Sequence, residues 1–181
     1  MMRRKQIQHK NFHVTLHDNA RTPKWGWAKS VKIIEDSLEV MEKFIYSKET
    51  LINKSQQDKI ELDVHFCGDR KMRTLNNDFR GKNKTTDVLS FPVFESLRAE
   101  SDEFVFPGPV HIGDIIISRD VAIKQAKEFK LAVEQEVIHL LIHGFLHLQG
   151  WDHEISDKEE EIMQAHEKKL LDRIRNQRKK A

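Results

Sequence analysis

One cysteine, Cys67, stands in 181 residues, so no intramolecular disulfide can form and a reducing compartment is expected. Long apolar runs are missing too. None approaches the length of a membrane span, and residues 1–10 lack the apolar stretch of a secretory signal. Both absences point to the cytoplasm and away from a membrane. Net charge is small, with 31 Lys and Arg against 29 Asp and Glu giving +2, so the whole-molecule field selects no class of partner. Its distribution says more. Arg3, Arg4, Lys5 and Lys10 make one end basic, Arg173, Arg175, Arg178, Lys179 and Lys180 the other, and acids crowd residues 157–161. Basic ends suit a nucleic-acid partner, although exposed lysines and arginines more often serve only solubility. There is no internal repeat, low-complexity block or interdomain linker. Residues 1–181 therefore read as a single domain with short basic N- and C-terminal extensions.

What is there is a mixture of two periodicities. Apolar residues alternate with polar ones over residues 11–18 (Phe12, Val14, Leu16) and 60–66 (Ile60, Leu62, Val64, Phe66), the period of half-buried strands. Residues 110–118 are apolar and β-branched, a buried strand. Residues 87–94 are strand-like, with Pro92 favouring an edge or a strand end. Three-and-four spacing predicts helices over residues 25–48, 69–79, 120–129, 132–148 and 156–175. Met72, Leu75 and Phe79 would face inward on the second of these, and Gly81 is placed to stop it. Ser156 with Glu159 predicts a capping box on the last. The fold class is α+β: a small central sheet with helices packed over it. The helix over 132–148 is apolar nearly all round and belongs at the centre.

That central helix runs into HGFLHLQGWDH, residues 143–153. His143 and His147 are four apart, on one helix face, and can aim at one metal ion. Gly150 can take the positive φ that ends a helix, and His153 can then swing back as a third ligand. A histidine on an apolar helix face is ordinarily a hydrogen-bonded core residue, the reading preferred for His139 one turn earlier. The conjunction of spacing, Gly150 and Asp152 beside His153 favours a metal site at the triplet. Three imidazoles with a fourth position left to water is how catalytic zinc is held, and such a site makes hydroxide available near neutral pH. The spacing equals that of metzincin peptidases, but those place a general-base Glu directly after the first His, where this chain has Gly144.

The same stretch resembles the H-G-x-L-H-L-x-G-[YW]-D-H signature of the YbeY family of endoribonucleases. LNNDFRGKNKTTDVLSFP, residues 75–92, and HIGDIIIS, residues 111–118, resemble two further segments of that family, in the same order. Trp151 stands where Tyr is commoner, and the basic N-terminal segment lies outside the resemblance. The resemblance implies a single-strand-specific, zinc-dependent endoribonuclease acting in maturation of the 16S rRNA 3′ end and in ribosome quality control. It implies one Zn2+ held by His143, His147 and His153, with Arg80 acting on the scissile phosphate. It also implies an α+β fold with the metal in a basic cleft, and single-stranded RNA, the ribosome or small-subunit assembly factors as partners.

The residues fit that chemistry. Phosphodiester cleavage builds charge on non-bridging oxygens, and Arg80 offers a planar fork of donors beside Lys82 and Lys84. Taken by itself, Arg80 would be a surface arginine capping a helix. Asp114 and Asp152 are candidates to orient a ligand histidine, with turn capping the alternative for Asp152. Phe79, Phe91, Phe106 and Trp151 are candidates for stacking unpaired bases. No general base is evident, so either water on the metal or the RNA 2′-OH is the nucleophile. Two other readings stay open: a ribosome-assembly binding factor with a structural metal, which a fourth protein ligand such as His139 or Asp114 would favour, and a metzincin-like peptidase, which needs a carboxylate near the metal.

Overall fold

The computed structural model describes residues 3–19, 25–102, 105 and 107–180. In chain order the elements are β1 (Arg3–His9), β2 (Phe12–Asp18), α1 (Trp27–Ile45), β3 (Ile60–Cys67), α2 (Asp69–Arg80), β4 (Val88–Pro92), β5 (Val110–Ser118), α3 (Arg119–Glu128), α4 (Val133–Leu148) and α5 (Asp157–Arg178). The five strands form one mixed sheet in the order β1-β2-β3-β5-β4. The central pairs β2–β3 and β3–β5 are parallel, while the edge pairs β1–β2 and β4–β5 are antiparallel.

Alternation builds the centre. Phe12, Val14 and Leu16 of β2 and Ile60, Leu62, Val64 and Phe66 of β3 are buried, beneath α1 and α4. The intervening residues face the other side, half-buried. α4 crosses the buried face with Val137, Leu141, Phe145 and Leu148 at 0% exposure. Phe145 packs between Phe12 and Phe44, with ring centroids 6.3 and 6.2 Å away. The architecture is the α+β fold expected, with the His143/His147 pair on the central helix.

Several local expectations need correcting. The first basic residues are part of an edge strand, β1, joined to β2 at Lys10, whose φ is 47°. β1 buries a single apolar side chain, Ile7, so it carries no apolar alternation to read. Phe79 is 65% exposed, not inward, and meets Phe91 edge-on at 4.9 Å. At α5 only half of the capping box forms. Ser156 Oγ accepts from the Glu159 N–H, but the Glu159 carboxylate accepts from Arg98 instead of reaching back. Gly81 does end α2, in the left-handed conformation at φ 65°.

β5 carries a register shift against β3. His111 pairs with Glu61 and Gly113 with Leu62, leaving Ile112 as an extra residue. Gly113 has φ 142°, and a Cβ there would lie 2.3 Å from the Phe91 carbonyl oxygen and 2.8 Å from Leu148 Cδ2. Neither backbone nor buried leucine can withdraw cheaply. Gly113→Ala is therefore expected to cost about 2–3 kcal/mol through overpacking. That corresponds to a fall in Tm of roughly 5–10 °C for a domain of this size, read by circular dichroism; an unchanged Tm would sink the argument.

Candidate metal centre and active site

His143 and His147 emerge from α4 one turn apart, with ring centroids 4.8 Å and Nε2 atoms 3.2 Å from each other. Two nitrogens on one tetrahedral zinc, each at about 2.0–2.1 Å, are separated by about 3.3 Å. The pair is thus already at ligand spacing. Gly150, at φ 95°, donates its N–H to the His147 carbonyl, and the Trp151 N–H reaches the Leu146 carbonyl. Trp151 is 3% exposed, anchored on Phe44 and His166. This fixed turn returns His153 to within 5.1 and 5.2 Å of the other two rings. One donor atom from each histidine lies within 4.8 Å of the others.

One donor is also held in the right protonation state. Burial, reinforced by the charge of His143, pushes the His147 imidazole down to about 4, so it is neutral at pH 7. Neutral imidazole is the form that binds a metal. His143 is held from behind, its Nδ1 donating to Glu167 Oε2 at 2.9 Å. The other Glu167 oxygen accepts from His139 Nε2 at 3.1 Å. Burial would raise the Glu167 carboxyl, but hydrogen bonds from His139 and His143 outweigh it and hold it well below the usual range. His139 is raised, by its bond to Glu136 first and to Glu167 second.

Neither side chain proposed from sequence as an orienter is hydrogen-bonded to a histidine of the triplet. Asp114 lies on the far face of the sheet, bonded to His65 and His111. Asp152 accepts the Glu154 N–H and caps the turn. Neither His139 nor Asp114 joins the triplet, which among the described residues keeps three protein donors. Gly144 is buried against the sheet, where a Cβ would meet Ser90 Oγ at 2.9 Å and Ile115 Cγ2 at 3.0 Å. The position that carries the metzincin glutamate thus faces packed core, with no room for a base. Arg80, at the end of α2, makes a two-pronged ion pair from Nη2 to Glu154, at 2.8 and 3.0 Å. A cleft of about 810 Å³ joins Arg80, Ser90, Glu154 and the three histidines.

Comparison with known proteins settles the family. Residues 28–175 match the family model described as Endoribonuclease YbeY. The chain belongs to the YbeY endoribonuclease family. Relatives named Endoribonuclease YbeY include one from Leptospira interrogans, 44% identical over 72% of this chain and 94% of the relative. Another, from Persephonella marina, is 37% identical over 71% of this chain and 79% of its own. The solution structure of a Thermotoga maritima protein aligns with a TM-score of 0.54 at 25% identity, covering 93% of this chain and 92% of that one.

Within this YbeY chain the cleft differs from the basic one expected. Its charged lining, among the described residues, is Arg80 against the carboxylates Asp87, Glu95, Asp152 and Glu154. Lys82 and Lys84 are exposed beyond it. A cleft with more carboxylates than cations favours a cation before it can favour a polyanion. The base-stacking candidates also divide. Trp151 is buried, Phe91 packs under α2, Phe106 lies outside the described residues, and Phe79 is the exposed one.

Glu167, like Glu154, is a site residue that sequence reasoning missed. A signal for it existed: it falls on the inward stripe of α5 with Met163, Leu170 and Ile174, where a carboxylate needs a partner. Glu167→Gln keeps the shape but loses the charge that orients His143. The expected result is a 10–100-fold loss of zinc affinity, the usual effect of removing such a partner. Competition with a chromophoric chelator measures it, and unaltered affinity would refute the orienting role.

Proposed function

We propose that this chain, acting as one domain over residues 1–181, is a single-strand-specific, zinc-dependent endoribonuclease of the cytoplasm. Its substrate is ribosomal RNA, in maturation of the 16S 3′ end and in ribosome quality control, with the ribosome or small-subunit assembly factors as partners. The observation that carries the reading is the convergence of three metal-competent histidines and Arg80 on one cleft in a YbeY chain.

His143, His147 and His153 would hold one zinc ion, which supplies Lewis acidity and a nucleophile at neutral pH. The protein's own part is placement. Glu167 fixes the His143 ring, and the turn at Gly150 fixes His153. Arg80 exchanges Glu154 for the scissile phosphate, presenting its planar donors to two oxygens at once. Attack by water leaves a linear phosphate end, and attack by the RNA 2′-OH leaves a cyclic one, so end-group analysis separates the two.

The test is cleavage of single-stranded and duplex RNA by purified protein, with zinc measured on the same sample. Single-strand cleavage that vanishes with chelation and returns with zinc supports the proposal. Stoichiometric zinc without cleavage would move the assignment to a ribosome-binding factor with a structural metal.

A further inference from the structure

The sheet face opposite α1 and α4 is only partly covered. α2 closes the side near β4, where Met72, Leu75, Cys67, Leu89, Phe91 and Ile116 form a small apolar cluster. Across β2, β3 and β5 the same face instead presents His17, Asp63, His65, His111 and Asp114. Parallel register sets His17 beside His65 and Asp63 beside Asp114. The extra residue in β5 brings His111 onto this face as well, three positions from Asp114.

We propose that His17, Asp63 and His65 form a second metal site, for a divalent first-row transition ion such as zinc, separate from the triplet on α4. One donor atom from each of the three lies within 4.8 Å of the others. The two imidazoles stack with centroids 4.5 Å apart and planes 10° from parallel, and His17 Nε2 lies 2.7 Å from Asp63 Oδ1. Asp114 Oδ1 holds the His65 ring through Nε2 at 2.9 Å, and its other oxygen accepts from His111 at 3.3 Å. A carboxylate behind a ligand histidine is the usual outer support of a metal site.

Charge argues the same way. Glu61 on this face has Lys59 as its cation, whereas the ion pairs of Asp63 and Asp114 among the described residues are with histidines alone. The two carboxylates thus have no Lys or Arg cation paired with them among the described residues, a place that a dication fills. Imidazole and carboxylate together select zinc, cobalt, nickel or copper over magnesium or calcium. The donors stand on interior strands whose register keeps the two histidines side by side, and the stacked rings turn about χ2 to bring both lone pairs onto one ion.

The experiment is zinc uptake by the full chain, stripped with chelator and dialysed against zinc, with metal per chain found by elemental analysis. The wild-type chain should take up two. His143→Ala/His147→Ala should keep one, and adding Asp63→Asn or His65→Gln should remove it, whereas adding His111→Gln should not. Asp63→Asn alone should fall from two to one with RNA cleavage and Tm in the metal-free state unchanged. That variant tests the site without touching α4. If His143→Ala/His147→Ala binds none, or if Asp63→Asn keeps two, the face holds histidine–carboxylate ion pairs only and the proposal fails.

Discussion

His147→Ala is expected to abolish zinc binding at the α4 triplet and to lower RNA cleavage by about a thousandfold or more. A metal in such a site supplies several kcal/mol of transition-state stabilisation, and each 1.4 kcal/mol is about tenfold in rate. The fold should survive. His147 sits on a helix whose packing is carried by Leu141, Phe145 and Leu148, and its ring makes its closest polar contact with His143, a fellow ligand. Alanine is also the best helix former. The metal-free variant should therefore melt close to the metal-free parent. The difference appears on adding zinc, where a ligand at a hundred times its Kd stabilises by about 2.7 kcal/mol. The parent should gain that increment, and the variant should gain only what other sites provide. Full cleavage by a variant that has lost the metal would end the metal-centred account; a fall in the metal-free Tm would instead assign His147 to the core.

How legible these features were in sequence depended on how local they are. Strands β2 and β3 show in their alternation, β5 in its apolar, β-branched run, and α4 in its apolar circumference, because each pattern lies within one element. The triplet was legible for the same reason, lying within eleven consecutive residues closed by a glycine. Contacts made by the tertiary fold were not. Glu167 meets His143 from another helix, and Glu154 meets Arg80 across 74 residues of sequence. Asp114 was read as a possible cleft residue, but strand parity and the register shift in β5 send it to the other face beside His65. In sequence, His17, Asp63 and His65 were no more than the polar half of two alternating strands. Parallel register is what gathers them, and no single strand encodes it.

Arg80→Ala should separate phosphate recognition from metal binding: zinc retained, Tm nearly unchanged, cleavage reduced by about 10²–10³-fold, the usual cost of removing one preorganised donor. Stability is spared because the Arg80–Glu154 pair is largely exposed, at 37% and 57% of the side-chain surface, and such pairs contribute about 0–1 kcal/mol. Arg80→Lys should recover only part of the rate, since a point charge cannot make the paired contact of a guanidinium. Glu154 decides what the ion pair is for. Its carboxyl is held below the usual range by the hydrogen bond from Arg80 and by that guanidinium's charge, so near neutral pH it is an anion on the donors that would meet phosphate. Substrate must displace it. Glu154→Gln should therefore lower KM and raise kcat/KM a few-fold while leaving zinc in place, an effect opposite in sign to that of Arg80→Ala. If Glu154→Gln slows cleavage as Arg80→Ala does, the carboxylate positions the arginine for catalysis and does not compete with RNA. If Arg80→Ala cleaves at the parental rate, the guanidinium has no part in the chemistry, and charge stabilisation at the phosphate falls to the metal alone.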